Sequence, residues 1–176
     1  MNTISELKNS SNVEQIVNGL FELIQQKDKN ISSELYNFDN HVMLKVMSIS
    51  KELASPNSED TLSTDKKTQL ESYYKDILKF TEVFDLLDKK VDNEIKNNSS
   101  LSTTDKENLQ QDILYTIRQK RFDLSLIQQR CEGTLSVVEK QNNDNIVSGK
   151  VSVSERIKSM KTSVVDNNNS TNKKTP

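Results

Sequence analysis

Between Leu70 and Val91 the residues Leu70, Tyr73, Ile77, Phe80, Phe84, Leu87 and Val91 recur at alternating spacings of three and four. A helix turns once every 3.6 residues, so these side chains share one narrow stripe. Glu71, Lys75, Asp76, Lys79, Asp85, Lys89 and Lys90 fill the flanks. A helix of this kind cannot bury its stripe alone. It requires other helices, from its own chain or from partner chains. The expected fold class is all-α: long amphipathic helices forming a coiled-coil-like hairpin or bundle, with a disordered C-terminal tail.

Composition sharpens the question of what covers the stripe. Only 32% of the 176 residues are apolar, there is no Trp, and there are 3 Gly and 2 Pro. Few breakers favour helices, while few apolar residues argue against a large private core. Burial borrowed from partners is the expectation that follows. Twenty-four basic and 26 acidic residues leave a net charge of −2, which supplies no general attraction to nucleic acid or anionic lipid.

The apolar pattern divides the chain into a flexible N-terminus (1–10), a helical assembly domain (11–140) and an Asn/Ser-rich tail (141–176). Ser11 and Glu14 have capping-box spacing ahead of Val13, Ile16, Val17, Leu20, Phe21 and Ile24, which predicts a first helix ending near Gln26. Gly19 within it weakens the helix or admits a close neighbour. Leu35, Phe38, Val42, Val46, Ile49 and Leu53 predict a second helix stopped at Ser55-Pro56, followed by a polar loop over 55–65. The third helix is expected from about Ser63–Asp65 to Lys96. The fourth opens with Thr104 and Glu107, again at capping-box spacing, and carries Leu109, Ile113, Ile117, Leu124, Ile127, Cys131, Leu135 and Val138. Lys120 interrupts that stripe, its stem covering apolar surface and its ammonium reaching water. Gly133 is expected to weaken or bend the last turns. The tail lacks a sustained period and is expected to be disordered, with a short helix over 154–161 as the alternative.

The residues for common reaction centres are missing. His41 is the sole histidine, which excludes a two-His metal site, and no strand-turn-helix nucleophile motif accompanies it. Glycines at 19, 133 and 149 cannot build a phosphate loop. The carboxylates are scattered over helix exteriors. Cys131 is the only cysteine, which excludes a disulfide; its place on the stripe predicts a small buried hydrophobe. Arg118, Lys120 and Arg121 form a basic cluster, read as a solvated helix flank beside Asp112 and Asp123. No apolar run is long enough to cross a bilayer, and Met1 to Ser11 does not have the pattern of a signal peptide. The expectation is a non-catalytic chain without cofactors that binds other proteins, not nucleic acid or membrane.

Three stretches add a resemblance. Lys45-Val46-Met47-Ser48-Ile49 leads through Lys51-Glu52-Leu53 into Pro56-Asn57. Thr68-Gln69-Leu70 is followed by Ile77-Leu78, Phe80, Phe84, Leu86-Leu87 and Asp88-Lys89. Glu107 to Leu135 includes Ile117-Arg118-Gln119-Lys120, Leu124 and Ile127. With these stretches the chain resembles, from about His41 to Val138, the subunit 30 family of the Mediator complex, the co-regulator of RNA polymerase II. The family's last helix usually carries a Trp, which this chain lacks. The resemblance implies a nuclear, non-catalytic subunit of Mediator's head region that supports transcription regulation. The third and fourth helices would pack into neighbouring subunits through Leu70, Tyr73, Ile77, Phe80, Phe84, Leu87, Val91, Ile117, Leu124 and Ile127. The same physics serves a small coiled-coil subunit of a cytoplasmic adaptor, tethering or kinetochore complex. A self-contained four-helix bundle holding a small ligand is the contrasting expectation; it requires a stable, sharply melting monomer, and Ile77, Phe84 and Leu87 sealed by the chain itself would remove the need for partners.

Overall fold

The computed structural model describes residues 4–27, 29–54 and 60–147, of which 60–63 and 142–147 by backbone alone. The fold is all-α, with no strand among the described residues. Helices α1 (Ile4–Asn9), α2 (Val13–Gln25), α3 (Ile31–Tyr36), α4 (Asn40–Leu53), α5 (Asp60–Asn97) and α6 (Thr103–Asn108) follow in order. A π-helical turn over Leu109–Leu114 then runs into α7 (Tyr115–Val147). The chain divides into two compact units, 1–136 and 137–176. Of the second, only the last turns of α7 fall within the described residues.

In the first unit α5 is the spine. Its 38 residues span about 57 Å at 1.5 Å per residue. Helices α2 and α4 pack against it most extensively, and the π-turn closes over its C-terminal half. Ile16, Leu20 and Ile24 of α2 and Val42, Val46, Ile49 and Leu53 of α4 are buried, at the three- and four-residue spacings of their periodicity.

Several boundaries differ from those expected. Residues 1–10 are not all loose: α1 forms, and Leu7 is buried against Gly19. A Cβ at Gly19 would lie 2.5 Å from Leu7 Cδ2, so this glycine admits the close approach of α1. The cap of α2 is Asn12, whose side chain accepts from the Gln15 amide at 3.1 Å, rather than Ser11. Likewise Ser102, not Thr104, caps α6 by accepting from the Asp105 amide at 3.1 Å. The single helix expected through Leu35 and Leu53 is two. Asn37, Phe38 and Asp39 form a turn between α3 and α4, and the weak helix preference of Asn and Asp favours the break there. The break drives Phe38 into the core, where its ring meets Phe80 and Phe84 edge-on at centroid distances of 5.5 and 6.1 Å. Helix α5 already begins at Asp60, inside the expected loop; residues 55–59 of that loop, with Pro56, lie outside the described residues. Gly133 does not interrupt α7, which continues through 141–147, where the tail was expected to have begun. The remainder of that tail, including the alternative helix over 154–161, lies outside the described residues.

Candidate docking surface

The stripe that suggested partner packing is not on the surface. Ile77, Phe84 and Leu87 are each 0% exposed, and Leu70, Phe80 and Val91 are buried with them. Ile117, Leu124 and Ile127 of α7 are buried as well, and Tyr73 is half-buried. The chain therefore brings the expected partner-packing residues together as its own core, and the need for outside helices to cover that stripe, from which the assembly role was expected, falls away. The reason is topological: α2, α4 and the Phe38 turn supply the apolar cover that outside helices were expected to provide. Val83, outside the three-four stripe, is buried too, because α5 has neighbours on more than one side and needs a wider apolar face.

Ion pairs run between α7 and α5. Arg118 Nε sits 3.2 Å from Asp88 Oδ1, with Asp92 Oδ1 3.7 Å from the same guanidinium's Nη2. Arg121 pairs with both Asp85 and Asp88. Arg118 and Arg121 of the basic cluster keep contact with solvent, as expected of a solvated flank, while also pairing with carboxylates of α5. Lys120 departs further from expectation. It is 1% exposed, and its ammonium reaches the buried Asp39 at 2.6 Å instead of water. Its remaining contacts are Asn40 Oδ1 at 3.5 Å, Met43 Sδ at 3.6 Å and the Tyr36 ring at 5.0 Å. Burial raises the Asp39 pKa, against the opposing pull of the Lys120 charge.

Cys131 is buried on the inward face of α7, and its thiol lies 3.9 Å from the Leu70 carbonyl. Burial and the nearby Glu132 charge push the thiol up to about 11. His41 is exposed on α4. No group of three or more His, Cys, Asp and Glu side chains is placed to hold a metal among the described residues. No described helix is long and apolar enough to cross a membrane.

Exposed apolar side chains are spread over several helices, with Leu44 and Met47 on α4 and Leu78 and Leu86 on α5, and three of them line up on another stripe of α7. Tyr115, Phe122 and Leu126 are 65%, 59% and 48% exposed. Their spacings of seven and four align them on one side of the helix, opposite Ile117, Leu124 and Cys131. Gly133 falls on the same outward line, and no atom would come within 4 Å of a Cβ there. Single exposed apolar residues are ordinary on protein surfaces, whereas several aligned on one helix face form a seam that a partner helix can fill. Sequence reasoning passed over this seam because the neighbouring inward stripe is longer and more regular.

Comparison with family models, curated proteins and solved structures finds no match.

Proposed function

We propose that this chain is a non-catalytic helical subunit of a larger protein assembly, docking through the outward face of α7. The observation that carries the reading is the alignment of exposed Tyr115, Phe122 and Leu126 on a bundle whose own core is closed. A folded bundle can present such a seam without unfolding, so docking would be of one rigid face against another helix. The ion pairs of Arg118 and Arg121 with α5 carboxylates leave less basic surface for phosphate, which favours protein partners over nucleic acid. The address of the assembly rests on the resemblance over 41–138: the Mediator complex, in the nucleus, in support of RNA polymerase II transcription.

The test uses the full chain, tagged and expressed in its source cell. Mediator head subunits should co-purify with it from nuclei. Phe122→Asp combined with Leu126→Asp should remove them while the isolated variant keeps its helical circular dichroism; Gln119→Ala should leave them bound. Exclusion from the nucleus would overturn the Mediator address in favour of a cytoplasmic adaptor or tethering complex. Retention of the same partners by the double variant would overturn the docking face.

A further inference from the structure

A cavity of about 440 Å³ opens where the end of α2, the start of α3, the C-terminal part of α5, α6 and the π-turn meet. That volume falls in the range of small-molecule sites. Its lining is mixed: Phe21, Ile24, Ile31, Val91, Leu109 and Ile113 supply apolar surface, and Gln25, Asn108 and charged groups supply the rest. It is a cleft open to solvent on one side, so its apolar floor can be reached from outside.

Two departures from ordinary backbone geometry border this cleft. Leu109 and Ile113 stand on the π-turn, a rare helical geometry that recurs at functional sites. Lys27 at the mouth has φ 54°, the only positive φ outside glycine among the described residues. It follows the last turn of α2, where its amide donates to the Ile24 carbonyl at 3.1 Å, a position that glycine ordinarily takes. A lysine accepts this backbone strain and places its ammonium 2.6 Å from Asp105 across the mouth. The unusual helix and the strained residue thus frame one opening.

The mouth carries charges of both signs, with a slight excess of carboxylates. Its described ionisable groups are Lys27, Lys29, Glu94, Asp105 and Asp112. Asp105 is neutralised by Lys27, whereas Lys29 forms no ion pair among the described residues. Glu94 accepts one hydrogen bond from Asn98 at 2.8 Å, and Asp112 one from Ser32 at 2.7 Å. Each carboxylate retains lone pairs for further donors. Carboxylates therefore exceed ammonium groups around an apolar interior.

We propose that this cavity binds a small amphiphile with an apolar body and a protonated amine at its end, the body lying among Ile24, Ile31 and Ile113 and the amine meeting Glu94 and Asp112. This site is separate from the outward face of α7, and neither reading depends on the other.

Decylammonium, 1-decanol and decanoate test it, each titrated below its micelle-forming concentration into the full chain and followed through isoleucine methyl NMR signals. Decylammonium should bind saturably and shift Ile24, Ile31 and Ile113. It should bind about fivefold more tightly than decanol, near the most that a solvent-exposed ion pair supplies, with decanoate weakest. Glu94→Gln should reduce the preference for the amine and leave decanol binding unchanged. Ile113→Trp, which fills the space, should abolish binding of all three. Absence of saturation, or shifts confined to other methyl groups, would overturn the site. Decanoate binding as tightly as decylammonium would overturn the assigned charge, as would an unaltered amine preference in Glu94→Gln. Since Glu94 is on the rim, that variant remains informative even where Ile113→Trp fails to fold.

Discussion

Lys120 and Asp39 form an ion pair, Nζ to Oδ1 at 2.6 Å, with both side chains buried in the first unit. It joins α7 to the turn between α3 and α4, the same turn that delivers Phe38 to the core. Neither Asp39 oxygen has a well-aligned hydrogen bond, and Oδ2 is enclosed without a polar partner. The pair contributes position more than stability: two desolvated charges are held by one contact. Removing one partner should therefore cost far more than removing both. Lys120→Met should destabilise by about 3–5 kcal/mol, whereas Lys120→Met with Asp39→Leu should be close to neutral. Urea denaturation of the single and double variants measures the difference. Equal losses in the two would show that the charges are not coupled.

The same pair gives stability a pH dependence of defined sign. The Asp39 pKa is raised in the folded state, so between the ordinary carboxylate value of 3.8 and the raised value the folded chain holds the proton that the unfolded chain has released. Its contribution is complete below the unfolded pKa and is lost as pH rises through the folded one. Relative to Asp39→Asn, the unsubstituted protein should lose stability as pH climbs through that window. Denaturant midpoints taken from below the ordinary carboxylate value of 3.8 upward follow it directly. A constant difference between the two proteins would contradict the raised value.

The two described glycines should respond oppositely to alanine. At Gly133 a Cβ meets open space in a continuous helix, so Gly133→Ala should stabilise by about 0.5–1 kcal/mol. At Gly19 the same methyl would stand 2.5 and 2.9 Å from the two Leu7 δ-carbons. Leu7 is the buried anchor of α1, so Gly19→Ala should displace that helix while α2 gains helix propensity. Hydrogen exchange should quicken in α1 and stay slow in α5.

Phe84→Asp should unfold the chain. It places an unpaired carboxylate where the side chain is fully buried, against Phe38, at a cost of several kcal/mol. Asp85→Ala removes an Arg121 contact on a partly exposed surface and should cost at most about 1 kcal/mol. Circular dichroism during thermal melting distinguishes the two. A folded, cooperatively melting Phe84→Asp variant would show that α5 does not need its cover.

Much of the helical body was legible in the sequence. Helical periodicity is a local property, so the spacing along 70–91 and 117–131 identified the helices and most of their buried residues, though not Val83 or Lys120, and it included the half-buried Tyr73. The Cys131 environment followed from the same spacing. The polar breaks indicated approximate ends, although competing cap residues shifted the caps to Asn12 and Ser102, and the turn at 37–39 was hidden because Leu35, Phe38 and Val42 keep helical spacing across it.

What covers each face belonged to the tertiary structure. Spacing marks a stripe as needing burial but carries no information about whose side chains will supply it, and here α2, α4 and Phe38 of the same chain do. A lysine within a stripe reads as an exposed interruption until a carboxylate distant in sequence, Asp39, is brought against it. The cavity beside the π-turn and the outward seam of Tyr115, Phe122 and Leu126 exist for the same reason: solvent access is set by which helices meet in space, and one-dimensional order does not specify those meetings.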